Sequence, residues 1–251
     1  MSDFATEAGR WYLPDGSQYA TVKGANGKER AVTLRDARKV GAYPSVTTII
    51  KLAAAPQLER WKRTQIMLAS LTLPHIEGES SDSFIERVEH DWQEQGKDAA
   101  DRGTAIHAAI EQHFRGDYLG EIWNPWIIEA SGELTQKCGP QGWLPERSYV
   151  HPAGYGCKLD LHSEAWVVDT KTKDGDLTAT TYDEHVMQVA AQMHAVGIPH
   201  GRGGILFVRR DTPAALLCEI SRDDLDKGWG MFLALLSFHQ AKNRYRPGVK
   251  L

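Results

Sequence analysis

Two aspartates and a lysine set around one turn are the residues in this chain best placed to do chemistry. The stretch GYGCKLDLHSEAWVVDTKTKD, residues 154–174, alternates apolar and polar side chains on both sides of Glu164-Ala165, which predicts a β-hairpin. A turn centred on that pair sets Ser163 against Trp166 and Asp160 against Asp169. Strand alternation then sends Leu159, Leu161, Trp166 and Val168 to one face, and Asp160, Asp169 and Lys171 to the other. Directly opposed side chains stand about 5 Å apart, where like charges repel. A chain that opposes two acids in this way usually sets a cation between them. Two carboxylates completed by a carbonyl and waters make a donor set for a hard cation, Mg²⁺ or Mn²⁺. The plainer alternative is a solvated hairpin face on which Lys171 simply neutralises the acids. A bulge would shift the pairing by one.

A second group lies upstream in RGTAIHAAIE, residues 102–111. On a helix, Ile106, Ile110 and Phe114 face the core, while His107 and Glu111 sit one turn apart on a flanking face. A histidine turned into a two-aspartate site adds a nitrogen ligand and favours Mn²⁺. The alternative is a surface pair of His107 with Glu111.

These residues need elements to hold them. Residues 10–34 read as three short strands separated by turns, a small β-meander that packs on the main body. Ser45 caps a helix carrying Ile49, Ile50 and Leu52. A second helix starts after Pro56, and helical patterning returns over 84–95 and 98–114. Turns fill 115–145. Strands follow at 148–150, 156–162 and 166–172, then a helix at 183–196, strands at 204–209 and 215–220, and a last helix from about 223 to 243. The expected fold class is α/β, with a meander over 1–42 and one main domain over 43–251.

The 251 residues carry 29 Lys+Arg against 33 Asp+Glu, a net charge of −4. This mild negative charge argues against a bulk electrostatic grip on nucleic acid, but not against a local basic groove. No apolar run approaches the ~20 residues of a membrane span. The first ten residues carry neither the apolar nor the basic region of an export signal. With 3 scattered cysteines and no CxxC pair, neither a zinc ribbon nor a four-cysteine iron–sulfur cluster is expected. A cytoplasmic location with free thiols follows as the expectation.

Taken in order, PSVTTII (44–50), PQLERW (56–61), GTAIHAAIE (103–111), Glu146, Gly156 to Asp160, Asp169-Thr170-Lys171 and Gln188 resemble the PD-(D/E)XK nuclease superfamily. The similarity is to its RecB-like exonuclease branch, which includes phage exonucleases and the mitochondrial genome maintenance exonuclease. It spans roughly residues 43–196. The resemblance implies a restriction-endonuclease-like core, a central mixed sheet flanked by helices, with a helical N-terminal half. It implies Asp160, Asp169, the Thr170 carbonyl and His107 as ligands of Mg²⁺ or Mn²⁺, Lys171 at the attacking water, and Glu146 holding an outer-shell water or second ion. Gln188 matches the first position of the family's Q-x-x-x-Y helix, whose fifth position here is Gln192 instead of tyrosine.

The implied activity is metal-dependent DNA exonuclease action in a phage or prophage recombination, repair or replication module, inside a bacterial host cell. A recombination-module protein partner is part of that expectation. The alternatives are a non-cleaving DNA-end binding protein and a structure-specific endonuclease. Arg60, Lys62 and Arg63 with Trp61 are the candidate contacts to DNA, single strand or duplex end, and Arg209, Arg210, Arg244 and Arg246 a further basic group. Trp61 either stacks on a base or packs in the core.

Overall fold

A computed structural model describes residues 10–53, 56–117 and 121–248, without the side chains of 56–58, 61 and 95. Its centre is a five-stranded mixed sheet formed by β6 (Leu144–His151), β7 (Tyr155–His162), β8 (Trp166–Lys173), β9 (Arg202–Arg209) and β10 (Ala215–Ile220). The strand order is β10-β9-β8-β7-β6, with β8 and β9 parallel and the remaining neighbours antiparallel. The parallel pair needs a crossover, and α6 (Asp183–Val196) supplies it.

Alternation along the inner strands buries both faces. Val167, Ile205 and Phe207 face α6, α2 (Val46–Ile50) and α7 (Arg222–Asn243), in a core that includes Ile49, Met193 and Phe232. Trp166, Val168, Leu206 and Val208 face the other way, onto Ile106 and Ile110 of α4 (Ser81–Arg115) and Leu134 of α5 (Asn124–Cys138). Each fully buried aliphatic side chain of this kind contributes about 1.5–3 kcal/mol. The α/β class is thus observed, with helices on both sides of the sheet.

Three expectations are corrected. The stretch 115–145 is not all turns, because α5 runs through it and buries Trp126, Ile127, Ala130, Leu134 and Cys138. The two helical stretches after residue 84 form the single helix α4, capped by Ser80 and closed by Gly116 at φ 82°. The third strand of the meander stops at Ala31, and Thr33 then caps a helix, α1 (Leu34–Val40), through a capping box with Asp36.

The N-terminal strands divide between two sheets. β1 (Trp11–Tyr12) lies between β2 (Gln18–Tyr19) and β5 (Tyr43–Pro44), while β3 (Thr21–Lys23) and β4 (Glu29–Ala31) pair separately. Several contacts tie this region to the rest of the chain, two of them through hydrogen bonds near residues 37–45. Ser45 bridges to Gly156 of β7, and the Tyr245 hydroxyl is shared between the carbonyls of Ala37, at 3.3 Å, and Ala42, at 2.8 Å.

Helices α6 and α7 touch closely at Gly228, where a Cβ would stand 2.9 Å from the Val186 backbone, whereas a Cβ at Gly230 would meet nothing within 4 Å. Gly228→Ala should therefore cost about 1–3 kcal/mol. Gly230→Ala, exposed in the same helix, should gain about 1 kcal/mol. Thermal melting of the two variants is expected to move in opposite directions.

Candidate functional site

The sheet forks where the chemistry was expected. β7 and β8 pair at Leu161–Val168 and His162–Val167, the expected register, and the Ser163 N–H donates to the Trp166 carbonyl at 2.9 Å. Pairing stops one residue short of Asp160 and Asp169. Beyond that point β7 stays with β6 and β8 stays with β9, so a gap opens between them. Asp160 closes part of it: its Oδ2 accepts the Thr170 backbone N–H at 2.7 Å. A side chain has replaced a ladder bond, which satisfies a donor the fork would otherwise strand.

The third strand adds Glu146. In the β6–β7 register it stands opposite Asp160, between the pairs Pro145–Leu161 and Arg147–Leu159. Its φ is 53°, a left-handed backbone that costs about 1–3 kcal/mol in a residue other than glycine and persists only where the surroundings impose it. This irregularity accompanies a change of face in β7. Tyr155, Cys157 and Leu159 join the α6 side of the core, whereas Leu161 joins the α4 side. The expected common face of Leu159 with Leu161, Trp166 and Val168 is corrected for Leu159.

Helices bring the remaining groups. Ile106 and Ile110 seat α4 on the sheet, which leaves His107 facing the fork, its Nε2 2.9 Å from Asp160 Oδ2. Gly103 permits the approach, since a Cβ there would stand 2.5 Å from Thr172 Oγ1. Glu111 pairs with Arg115, so His107 takes Asp160 in place of the helical neighbour. From the opposite face, Gln188 of α6 donates through Nε2 to Asp169 Oδ1 at 2.5 Å and accepts from Lys171 at 3.3 Å. Lys171 Nζ lies 2.8 Å from Asp169 Oδ2, an ion-pair contact outside hydrogen-bonding geometry.

The electrostatics follow from burial set against close opposite charge. Burial opposes a charged His107, but the hydrogen bond and charge of Asp160, backed by Asp169 and Glu146, prevail and raise its pKa. Burial likewise works against the Asp160 carboxylate, yet His107, Lys171 and the Thr170 N–H hold it below the usual range. Asp169 goes the other way: burial and the charge of Asp160 push it up despite Lys171.

Asp160, Asp169, Lys171, Glu146, His107, Thr170 and Gln188 thus line one cleft of about 560 Å³. Ligand atoms of His107, Glu146 and Asp160 lie within 4.8 Å of one another. One imidazole and two carboxylates suit a divalent cation, and the nitrogen favours Mn²⁺ over Mg²⁺. Asp169 is not in that trio.

Of the residues expected to contact DNA, Gln188 is brought to the cleft, whereas Arg60, Lys62 and Arg63 are not. Arg60, Lys62 and Arg63 sit on α3 (Pro56–Thr72) and do not line it. There Lys62 pairs with Glu59 at 3.1 Å, and Arg63 donates to the Glu59 carbonyl. The side chain of Trp61 lies outside the described residues. Arg209 and Arg210 are paired with Asp211 and Asp174, and neither Arg244 nor Arg246 lines the cleft. Arg10, Tyr12, Lys158 and Gln192 line it without having been anticipated. For Lys158 the signal was present, two residues before Asp160 on one strand. Gln192 is buried, and its Nε2 donates to the Lys158 carbonyl at 3.2 Å, so it holds β7 in place.

No family model matches the chain, and no curated protein does. A solved protein described only as SSO0001 is similar at 14% identity, over 80% of this chain and 77% of that one, with a TM-score of 0.35. So distant an overlay carries no argument. Among the described residues, no helix is long and apolar enough to cross a membrane.

A divalent cation held here would compete with a proton for the Nε2 of His107, and the raised pKa favours the proton. Mn²⁺ affinity should therefore tighten between about pH 6 and about pH 8. Calorimetric titration at the two values measures this, and His107→Ala should both weaken binding and flatten its pH dependence.

Proposed function

We propose that this chain is a Mg²⁺- or Mn²⁺-dependent deoxyribonuclease acting on DNA ends, built on a PD-(D/E)XK core of the RecB-like branch. The observation that carries the reading is the fork between β7 and β8. It gathers Asp160, Asp169 and Lys171 from the hairpin with His107 from α4 and Glu146 from β6 into one open cleft. A structural ion-pair network has no need of an open cleft, and a folded hairpin has no need to splay.

In this reading His107, Asp160 and Glu146 hold the ion, with Asp169 beside them. A bound divalent cation would supply Lewis acidity toward a phosphoryl oxygen and ease deprotonation of a water. The protein's own groups do the rest. Lys171, fixed by Asp169 and Gln188, places a positive charge where hydroxide and the pentavalent phosphorus need stabilising. The Thr170 N–H fixes the Asp160 carboxylate through its Oδ2. Arg10, exposed at the rim, supplies a cation for a neighbouring phosphate. Attack on the phosphodiester forms a P–O bond to the water oxygen and breaks the P–O bond to the leaving sugar oxygen, which takes up a proton from the solvent as the attacking water releases one. The acidic chain needs only these few local cations for substrate binding, so affinity should be modest and should fall with salt.

Digestion of an end-labelled linear DNA and of a closed circle, each with Mn²⁺, tests the proposal. Loss of the linear substrate alone is expected. Cutting of the circle would point to an endonuclease, and retention of both to a DNA-end binding protein. Lys171→Ala should lower the rate about 10²–10⁴-fold, and Asp169→Asn should do at least as much. Either variant retaining near-normal cleavage while folded would remove the assignment.

A further inference from the structure

Every acid of the cleft has a cation of its own. His107 serves Asp160, Lys171 serves Asp169, Arg115 serves Glu111, and Lys158 serves Glu146. The last pair stands apart. Glu146 is the acid with the left-handed backbone, its side chain is only 9% exposed, and Lys158 lies against its Oε2. Glu146 is also one of the three residues whose ligand atoms cluster within 4.8 Å. The ammonium of Lys158 therefore holds a carboxylate that a metal ion entering between His107, Glu146 and Asp160 would need.

Resting on the reading of this cleft as a divalent-cation site, we propose that Lys158 is an internal competitor of the metal, an ammonium that must leave Glu146 before the ion is fully bound. The geometry suits an exchangeable role. Lys158 sits two residues before Asp160 on β7, its side chain is 32% exposed, and a four-carbon stem lets it swing into the open cleft without moving the strand. His107 is carried by a helix seated in the core and Asp160 is tied to Thr170, so Lys158 is the member of the group with somewhere else to go. A carboxylate buried without a partner would be costly, and Lys158 removes that cost while no ion is bound. The same contact lowers the net affinity for the ion, because each binding event must break it. Lys158 is in this sense a positioning residue that sets the threshold of metal concentration at which the cleft is armed.

The test is calorimetric titration of the full-length protein with Mn²⁺ alone, wild type against Lys158→Met, Lys158→Gln and Lys158→Arg. Removing the competing charge should tighten Mn²⁺ binding about tenfold or more in the two neutral variants. Lys158→Arg, which keeps the charge, should bind no tighter than wild type. Melting supplies a second readout. Without ion the neutral variants should melt below wild type, and saturating Mn²⁺ should raise them by more than it raises wild type. A merely structural lysine would give weaker binding and a lower melting temperature together. Neutral variants that fold but bind Mn²⁺ no more tightly than wild type overturn the proposal. Should Lys158→Met fail to fold, Lys158→Gln, which can still hydrogen-bond Glu146, carries the decision. A wild type that takes up no Mn²⁺ would overturn both this proposal and the metal cleft. Tight Mn²⁺ binding with no DNA cleavage would overturn the nuclease reading alone.

Discussion

Carboxylates moved out of water are costly unless positive charge meets them, and this cleft brings several together where two strands separate. Asp169 is 1% exposed, and Glu146 stands across from Asp160 in the register of β6 and β7. The surrounding fold places donors against these acids from three directions: α4 delivers His107, β8 delivers Lys171 and the Thr170 N–H, and β7 delivers Lys158. Remove any one of these elements and an acid is left buried without its counter-charge. The hydrophobic layers on either side of the sheet therefore also set the electrostatics of the gap, by fixing how closely each helix approaches it.

The raised pKa of His107 and the lowered one of Asp160 are two views of one hydrogen bond, and the upward pressure on Asp169 comes from its burial and from the charge of Asp160. An arrangement chosen only for stability would be expected to replace such a group with apolar side chains. Retaining it, together with a strained Glu146, puts local cost at one place in an otherwise well-packed molecule.

The hairpin was legible in the sequence because its period of two and its turn leave one good register, and a shift by one would have sent Trp166 and Val168 to the opposite face of the sheet. His107 was legible because Ile106 and Ile110 fix the buried face of its helix. Helix α5 was not, because Pro125, Gly132 and the Gly139-Pro140 pair mimic the punctuation of a loop, although Trp126, Ala130, Leu134 and Cys138 keep helical spacing. The face of Leu159 could not be read, since it changes at a strained residue on a neighbouring strand. Tyr12 and Arg10 are in the cleft through tertiary docking alone: the bare Gly156 admits the Tyr12 ring, whose atoms a Cβ would meet at 2.7 Å. No local pattern near residue 12 announces that partnership.

The clasp formed by Tyr245 bears on how the molecule is made. Its hydroxyl secures the carbonyls of Ala37 and Ala42, just ahead of the segment from which Ser45 reaches β7. During synthesis the amino-terminal segment emerges first, yet the residue that fastens it follows only after the whole central sheet and α7. The early strands must wait, tethered but undocked, while more than two hundred residues follow. The wall of the cleft bearing Arg10 and Tyr12 is thus held in part by a contact between distant parts of the chain, a support that reaches a nascent chain late.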